Sequence, residues 1–175
     1  MSHHIFDTYI GHKANYNALK QFGGNGNNVT EEKSLYERLG GVFAIAAVVN
    51  YFSDAILDND LVGRNSPNEF LRQWSNDQVA SRLPGLKFMR TLWVCEATGG
   101  PYRFEPSEKH ETDHMNLSEA HKKFHISPEQ FDKVAEILKE SMVHFNVPEK
   151  EMNEVLGAFN AHKEEVTQGY YEMTA

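Results

Sequence analysis

Apolar residues recur along this chain at intervals of three and four, and no stretch alternates in the strand manner. The pattern predicts an all-α protein with five substantial helices and several short ones. A short helix is predicted over residues 30–39, ended by Gly40 and Gly41, since glycine is favoured just past a helix C-terminus. Residues 42–57 carry Phe43, Ala46, Ala47, Val49, Tyr51, Phe52 and Ile56, apolar over more than half a turn. Such a helix belongs in the centre of a fold. After a turn at Asn65-Ser66-Pro67, the residues Phe70, Leu71 and Trp74 mark a short amphipathic piece, with Pro67 at its start. Pro84 is predicted to open the next long helix, residues 85–97, whose stripe is Leu86, Met89, Arg90, Trp93 and Ala97. Gly99-Gly100-Pro101 breaks the chain again. A short helix over residues 117–126 precedes Ser127-Pro128-Glu129-Gln130, where serine caps, proline takes the first helical position and glutamine stands three after the cap. Phe131, Val134, Leu138, Met142 and Phe145 form one face of the helix that follows. Past Val147-Pro148, a last helix presents Met152, Val155, Phe159, His162 and Val166.

Composition narrows the class. A length of 175 residues with 40% hydrophobic and 24% charged content fits one globular domain. The formal charge of −8, with no basic cluster, argues against nucleic acid and anionic membrane surfaces as partners. The longest apolar run, residues 42–49, is too short to span a bilayer. A lone cysteine, Cys95, cannot form an internal disulfide, so a reducing compartment is expected. With no basic-then-apolar leader at the N-terminus, the expected location is the cytoplasm. Gly23-Gly24-Asn25-Gly26-Asn27-Asn28 reads as a linker, which makes residues 1–30 a flexible or loosely docked extension. Residues 31–168 are then the domain and 169–175 a tail.

Candidate chemistry lies on the apolar faces. Leu117, Ala120, His121, Phe124 and His125 share one side of their helix, with Ser118, Glu119, Lys122 and Lys123 opposite. A histidine there is either a core residue bonded to a backbone carbonyl or a metal ligand in an apolar pocket, which is what haem iron requires of its proximal histidine. His162, on the inner stripe of the last helix, poses a similar choice. Arg90 either snorkels to the surface or aims a cation into a pocket. A separate match is literal: His110-Glu111-Thr112-Asp113-His114 reads H-E-x-x-H, which on a helix sets two zinc ligands beside a general base. A zinc helix must be packed, whereas Thr112, Asp113 and the preceding Ser107-Glu108-Lys109 are polar. The zinc metallopeptidase therefore stands as the alternative.

Three segments taken together resemble the truncated haemoglobins, the two-over-two globins, and their first group in particular. Tyr36-Glu37-Arg38-Leu39-Gly40-Gly41 with Ala44-Ile45 and Val48-Val49 is similar to that family's opening helices. Gly99-Gly100-Pro101-Tyr102 is similar to the break after its distal helix. Glu119-Ala120-His121, followed by Ile126, Phe131, Val134 and Val147-Pro148, is similar to its proximal segment and last helices. The resemblance spans residues 34–167 and leaves the first thirty unexplained.

The resemblance implies a truncated two-over-two helical sandwich with an N-terminal extension, holding haem b (iron protoporphyrin IX). It makes His121 the iron ligand, because the step to Ile126 fits the family's spacing from His121 and not from His125. It implies a proximal pocket of Leu117, Phe124, Ile126, Phe131, Val134 and Leu138, and a distal pocket of Phe52, Ser53, Leu86, Met89, Arg90 and Trp93. Tyr102 and His162 join the cofactor's surroundings; some members attach a haem vinyl group through a histidine of the last helix. The distal side departs from the family pattern. Ser53 stands where a tyrosine is usual, and Leu86 and Arg90 stand where glutamines are common, so Arg90 is the strong donor left. The function implied is reversible binding of a diatomic ligand, oxygen or nitric oxide. Nitric oxide dioxygenation or peroxidase-like turnover would also require a reductase partner.

Overall fold

The computed structural model describes residues 32–77, 79–103 and 117–174, with the side chains of residues 79 and 80 left aside. Among these residues every regular element is a helix: α1 (Leu35–Arg38), α2 (Gly41–Asp58), α3 (Glu69–Asp77), α4 (Val79–Ala97), α5 (Leu117–Lys122), α6 (Pro128–His144), α7 (Glu149–Asn160) and α8 (Lys163–Thr174). The extension, residues 1–30, and the H-E-x-x-H residues His110, Glu111 and His114 lie outside the described residues.

Two helix pairs make the sandwich. α2 packs on α4, α6 packs on α7 and α8, and α2 lies across α6 to join the pairs. This is the two-over-two arrangement. α2 is apolar and long enough to cross a membrane by length and composition alone, but it is the core helix here. Ile45, Val49, Phe52, Ser53 and Leu57 are buried along it. Phe52 meets Val62, Ile137, Leu138, Met142 and Met152 on the α6–α7 side, and Ile45 and Val49 meet Cys95 on the α4 side.

Several boundaries move from their expected places. α1 starts after Ser34 rather than at Thr30, because the Ser34 hydroxyl accepts the Glu37 amide while the Glu37 carboxylate accepts the Ser34 amide, a complete capping box. Asn68, not Pro67, opens α3: its side-chain oxygen accepts from the amides of Phe70 and Leu71. α4 begins at Val79, and Pro84 lies inside it, where it removes one backbone bond instead of starting the helix. α5 ends at Lys122, and His125 has a positive φ of 46°, so the expected helix over residues 117–126 is cut short. The last helix is two, parted by a turn at Ala161 and His162. α8 continues to Thr174, past residue 168, where the sequence pattern set the start of a tail. The predicted α6 cap is present in full: Ser127 and Gln130 exchange side-chain and backbone bonds, with Pro128 at the helix start.

The two glycine motifs meet. Gly100 lies against the Tyr36 ring and the Cys95 carbonyl, where a Cβ would sit 2.5 and 2.7 Å from those groups. The Tyr36 amide donates to the Thr98 carbonyl at 2.8 Å, and the Tyr36 hydroxyl accepts from the Val42 amide at 3.1 Å. One tyrosine thus locks the start of α2 to the end of α4.

Candidate functional site

α4 and α5 both carry candidate residues, yet they are not packed on one another. α5 rests on α8, and α4 rests on α2 and α3. Arg90 is carried by α4 and His121 by α5.

His121 is the last residue but one of α5. Its Nδ1 lies 2.8 Å from the Leu117 carbonyl oxygen, one turn back. A carbonyl can only accept, so Nδ1 carries the proton and Nε2 keeps its lone pair. Burial pulls the His121 pKa below the ordinary imidazole value; the Leu117 bond opposes this, and the charges of Arg90 and Lys123 reinforce it. The ring is therefore neutral near pH 7, with one nitrogen open.

The rival, His125, is oriented differently. Its Nδ1 meets the Gly169 carbonyl of α8 at 2.8 Å, and its ring tilts on Phe70 with centroids 4.6 Å apart. It borders a groove of about 340 Å³ lined also by Leu61, Gln130, Tyr170 and Met173. Neither His121 nor Arg90 lines that groove.

An apolar wall backs His121. Ile126, Phe131 and Val166 are buried together, with Leu117, Phe124, Leu71 and Phe159 packed on them. Trp74 meets the Phe124 ring edge-on at 5.7 Å. Leu138 and Phe52 are buried in the neighbouring cluster, with Val134 against it. Leu71 and Trp74 were not assigned to the site from sequence. The signal was there, as the apolar face of α3, but nothing local says that α3 meets Phe124, in the turn after α5.

Across from this wall, the Arg90 Nη1 donates to Ser53 Oγ at 3.0 Å, and the guanidinium carbon stands 5.8 Å from the Phe52 ring centre. Ser53 is 1% exposed. Burial lowers the Arg90 pKa to about 10, so the group stays cationic at neutral pH. Leu86, Met89 and Trp93 are half-buried on the same helix. Trp93 meets the ring of His162 edge-on, with centroids 5.4 Å apart. His162 Nδ1 bonds Glu165 Oε2 at 2.9 Å, so its partner is a carboxylate and not the backbone. Among the described residues, the ring and core contacts of Tyr102 lie elsewhere. The residue sits with Tyr36, ring centroids 6.4 Å apart, in the cluster of Ile45, Val49 and Cys95.

These residues fit the cofactor the resemblance implies. Haem needs an open imidazole nitrogen with its tautomer fixed, apolar walls, and a gap between helices. His121 with Leu117 and the Ile126–Phe131–Phe124 wall supply the first two, and α4 and α5 are not extensively packed on one another, which leaves room for the third.

The structure is similar to the 2/2 haemoglobin from Synechococcus sp. PCC 7002, described in the cyanomet state with covalently attached haem. The TM-score is 0.61 at 24% identity, over 78% of this chain and 99% of that one. It is also similar to the truncated haemoglobin from Tetrahymena pyriformis in its Fe(III) form, with a TM-score of 0.61 at 21% identity, over 77% of this chain and 97% of that one. At these identities the likeness shows the fold. No curated protein matches by sequence. The model of the bacterial-like globins matches residues 34–168, most of the chain. The chain belongs to the bacterial-like globins, a family whose cofactor is haem b.

Proposed function

We propose that this globin holds haem b between α4 and α5 through His121 Nε2 and reversibly binds a diatomic ligand, oxygen or nitric oxide. One observation carries the reading: the Leu117 carbonyl fixes the proton of His121 on Nδ1 and leaves Nε2 free to ligate. The iron supplies the coordination position for the gas. The chain supplies the rest. Leu117, Phe124, Ile126, Phe131, Val134 and Leu138 exclude water from the ligand histidine. Phe52, Leu86, Met89 and Trp93 line the opposite side, and the Arg90–Ser53 pair offers a hydrogen-bond donor to whatever enters there. The experiment is an absorbance spectrum of the protein titrated with haemin, then reduced and exposed to carbon monoxide. A Soret band that saturates at one haem per chain and shifts with carbon monoxide is expected. A protein that fails to take up haem would overturn the reading.

A further inference from the structure

We propose that the Arg90–Ser53 pair makes the distal side of this cleft an anion-selecting site, one that favours small monoanions of the nitrite and azide kind over neutral ligands of the same size. The inference rests on the haem reading above and goes beyond it, from which cofactor is held to which ligands are preferred.

The arginines of this chain differ in their partners. Arg38, Arg64 and Arg103 each pair with a carboxylate, and Arg72 donates to the Ser66 and Pro67 carbonyls. Arg90 is different. Among the described residues its partners are one hydroxyl, Ser53 Oγ, and the face of Phe52. Neither carries a negative charge. A guanidinium has five N–H donors, and this one spends a single nitrogen on Ser53. Ser53 uses its oxygen to accept that bond, which leaves its own hydrogen free to donate. The pair is therefore an array of donors without an acceptor, under low solvent exposure. Such an array satisfies an anion with several acceptor atoms better than a neutral diatomic molecule. Charge-assisted hydrogen bonds are about twice as strong as neutral ones, and a desolvated cation without a counterion gains most from meeting one.

The second observation is position. The Arg90–Ser53 bond joins α4, the helix that also carries Leu86, Met89 and Trp93, to α2 beside the Phe52 ring. In a chain with a net charge of −8, Arg90 has no hydrogen bond or ion pair to a carboxylate among the described residues.

The test is optical titration of the haem-loaded ferric protein with azide and with nitrite, set against anaerobic titration with nitric oxide, which is neutral and no larger. Arg90→Leu should weaken azide and nitrite binding about tenfold or more, the loss expected for charged hydrogen bonds, and should move nitric oxide binding less than about twofold. Arg90→Lys should recover part of the anion affinity, and Ser53→Ala should lose a smaller part. These two variants carry the test if Arg90→Leu does not fold. Equal weakening of anionic and neutral ligands would overturn the proposal, as would no weakening at all. Faster haem loss with an unchanged anion-to-neutral ratio would also overturn it and assign Arg90 to a haem carboxylate. In that case the Soret band persists and the haem reading stands; a wild-type protein without a Soret band would sink both.

Discussion

Two histidines four residues apart can look alike to any periodic pattern and differ completely in what their rings face. His121 and His125 share the apolar side of an ideal helix, so periodicity alone cannot choose between them. The backbone separates them: α5 stops at Lys122, His125 adopts φ 46°, and its ring is carried to the Gly169 carbonyl. His121→Ala should therefore take up haem weakly, with most of it lost on gel filtration, while His125→Ala and the double change of His110 and His114 to Ala should retain it. The reverse pattern, read from the ferrous spectrum, would move the ligand to His125. The Arg90–Ser53 bond was likewise out of reach of the sequence, since it joins positions 37 apart on different helices. His162 is a third case. Periodicity puts it on an inner stripe, whereas its side chain is 38% exposed, bonded to Glu165 and beside Trp93. With Nδ1 held by a carboxylate, its Nε2 is the more nucleophilic nitrogen, on a ring that lies edge-on to Trp93. Reduction of the haem-loaded protein should leave haem with the polypeptide after acid–acetone extraction, and His162→Leu should release it. Clean extraction from the wild type would return His162 to a surface ion pair.

At the scale of elements, the placement of His121 depends on how closely α5 approaches α8. Gly169 is buried, and a Cβ there would meet the Lys122 carbonyl oxygen at 2.1 Å. That atom is backbone, so no rotamer relieves the clash; the two helices must part. Gly169→Ala should lower stability by about 1–3 kcal/mol, the usual result of overpacking, and should speed haem loss because α5 carries His121. An unchanged melting temperature and an unchanged rate of haem transfer to apomyoglobin would show that α5 is free to shift. Gly169 carried no signal of this in the sequence. Its neighbour is 47 residues upstream, whereas the Gly40–Gly41 and Gly99–Gly100 breaks were readable because glycine ends helices locally. The same division explains the boundaries. The Ser127 capping box is local and was read in full, whereas Pro84 stands inside α4 and a turn at Ala161 and His162 parts α7 from α8, neither of which the local pattern predicts.

For the whole molecule, the fold class was legible because three-and-four spacing and glycine breaks run the length of the domain, whereas the ties between distant elements were not. Arg38 is the example. Within its helix it reads as an ordinary exposed arginine, yet it joins α1 to α7: Nη1 reaches Glu151 Oε1 at 2.7 Å and Glu154 Oε1 at 3.0 Å, and Nη2 also bonds Glu154. Arg38 and Glu151 are mostly buried, with side chains 22% and 11% exposed, so this fork is held better than a pair in open water. The bond from Arg38 holds the Glu154 carboxyl below its ordinary value of 4.5. A carboxylate depressed in the folded state binds fewer protons there than in the unfolded chain. Its contribution to stability is thus complete above the ordinary pKa and is lost as pH falls through the folded one. Glu154→Gln should lower the melting temperature at pH 7, and the gap from the wild type should narrow as pH drops below 4.5. Added salt at pH 7 should narrow the same gap, because Glu154 is partly open to solvent. A gap that stays constant from pH 7 through the acid range would mean that Glu154 acts through packing and not through its charge, and would leave Glu151 alone as the anion that ties α7 to α1.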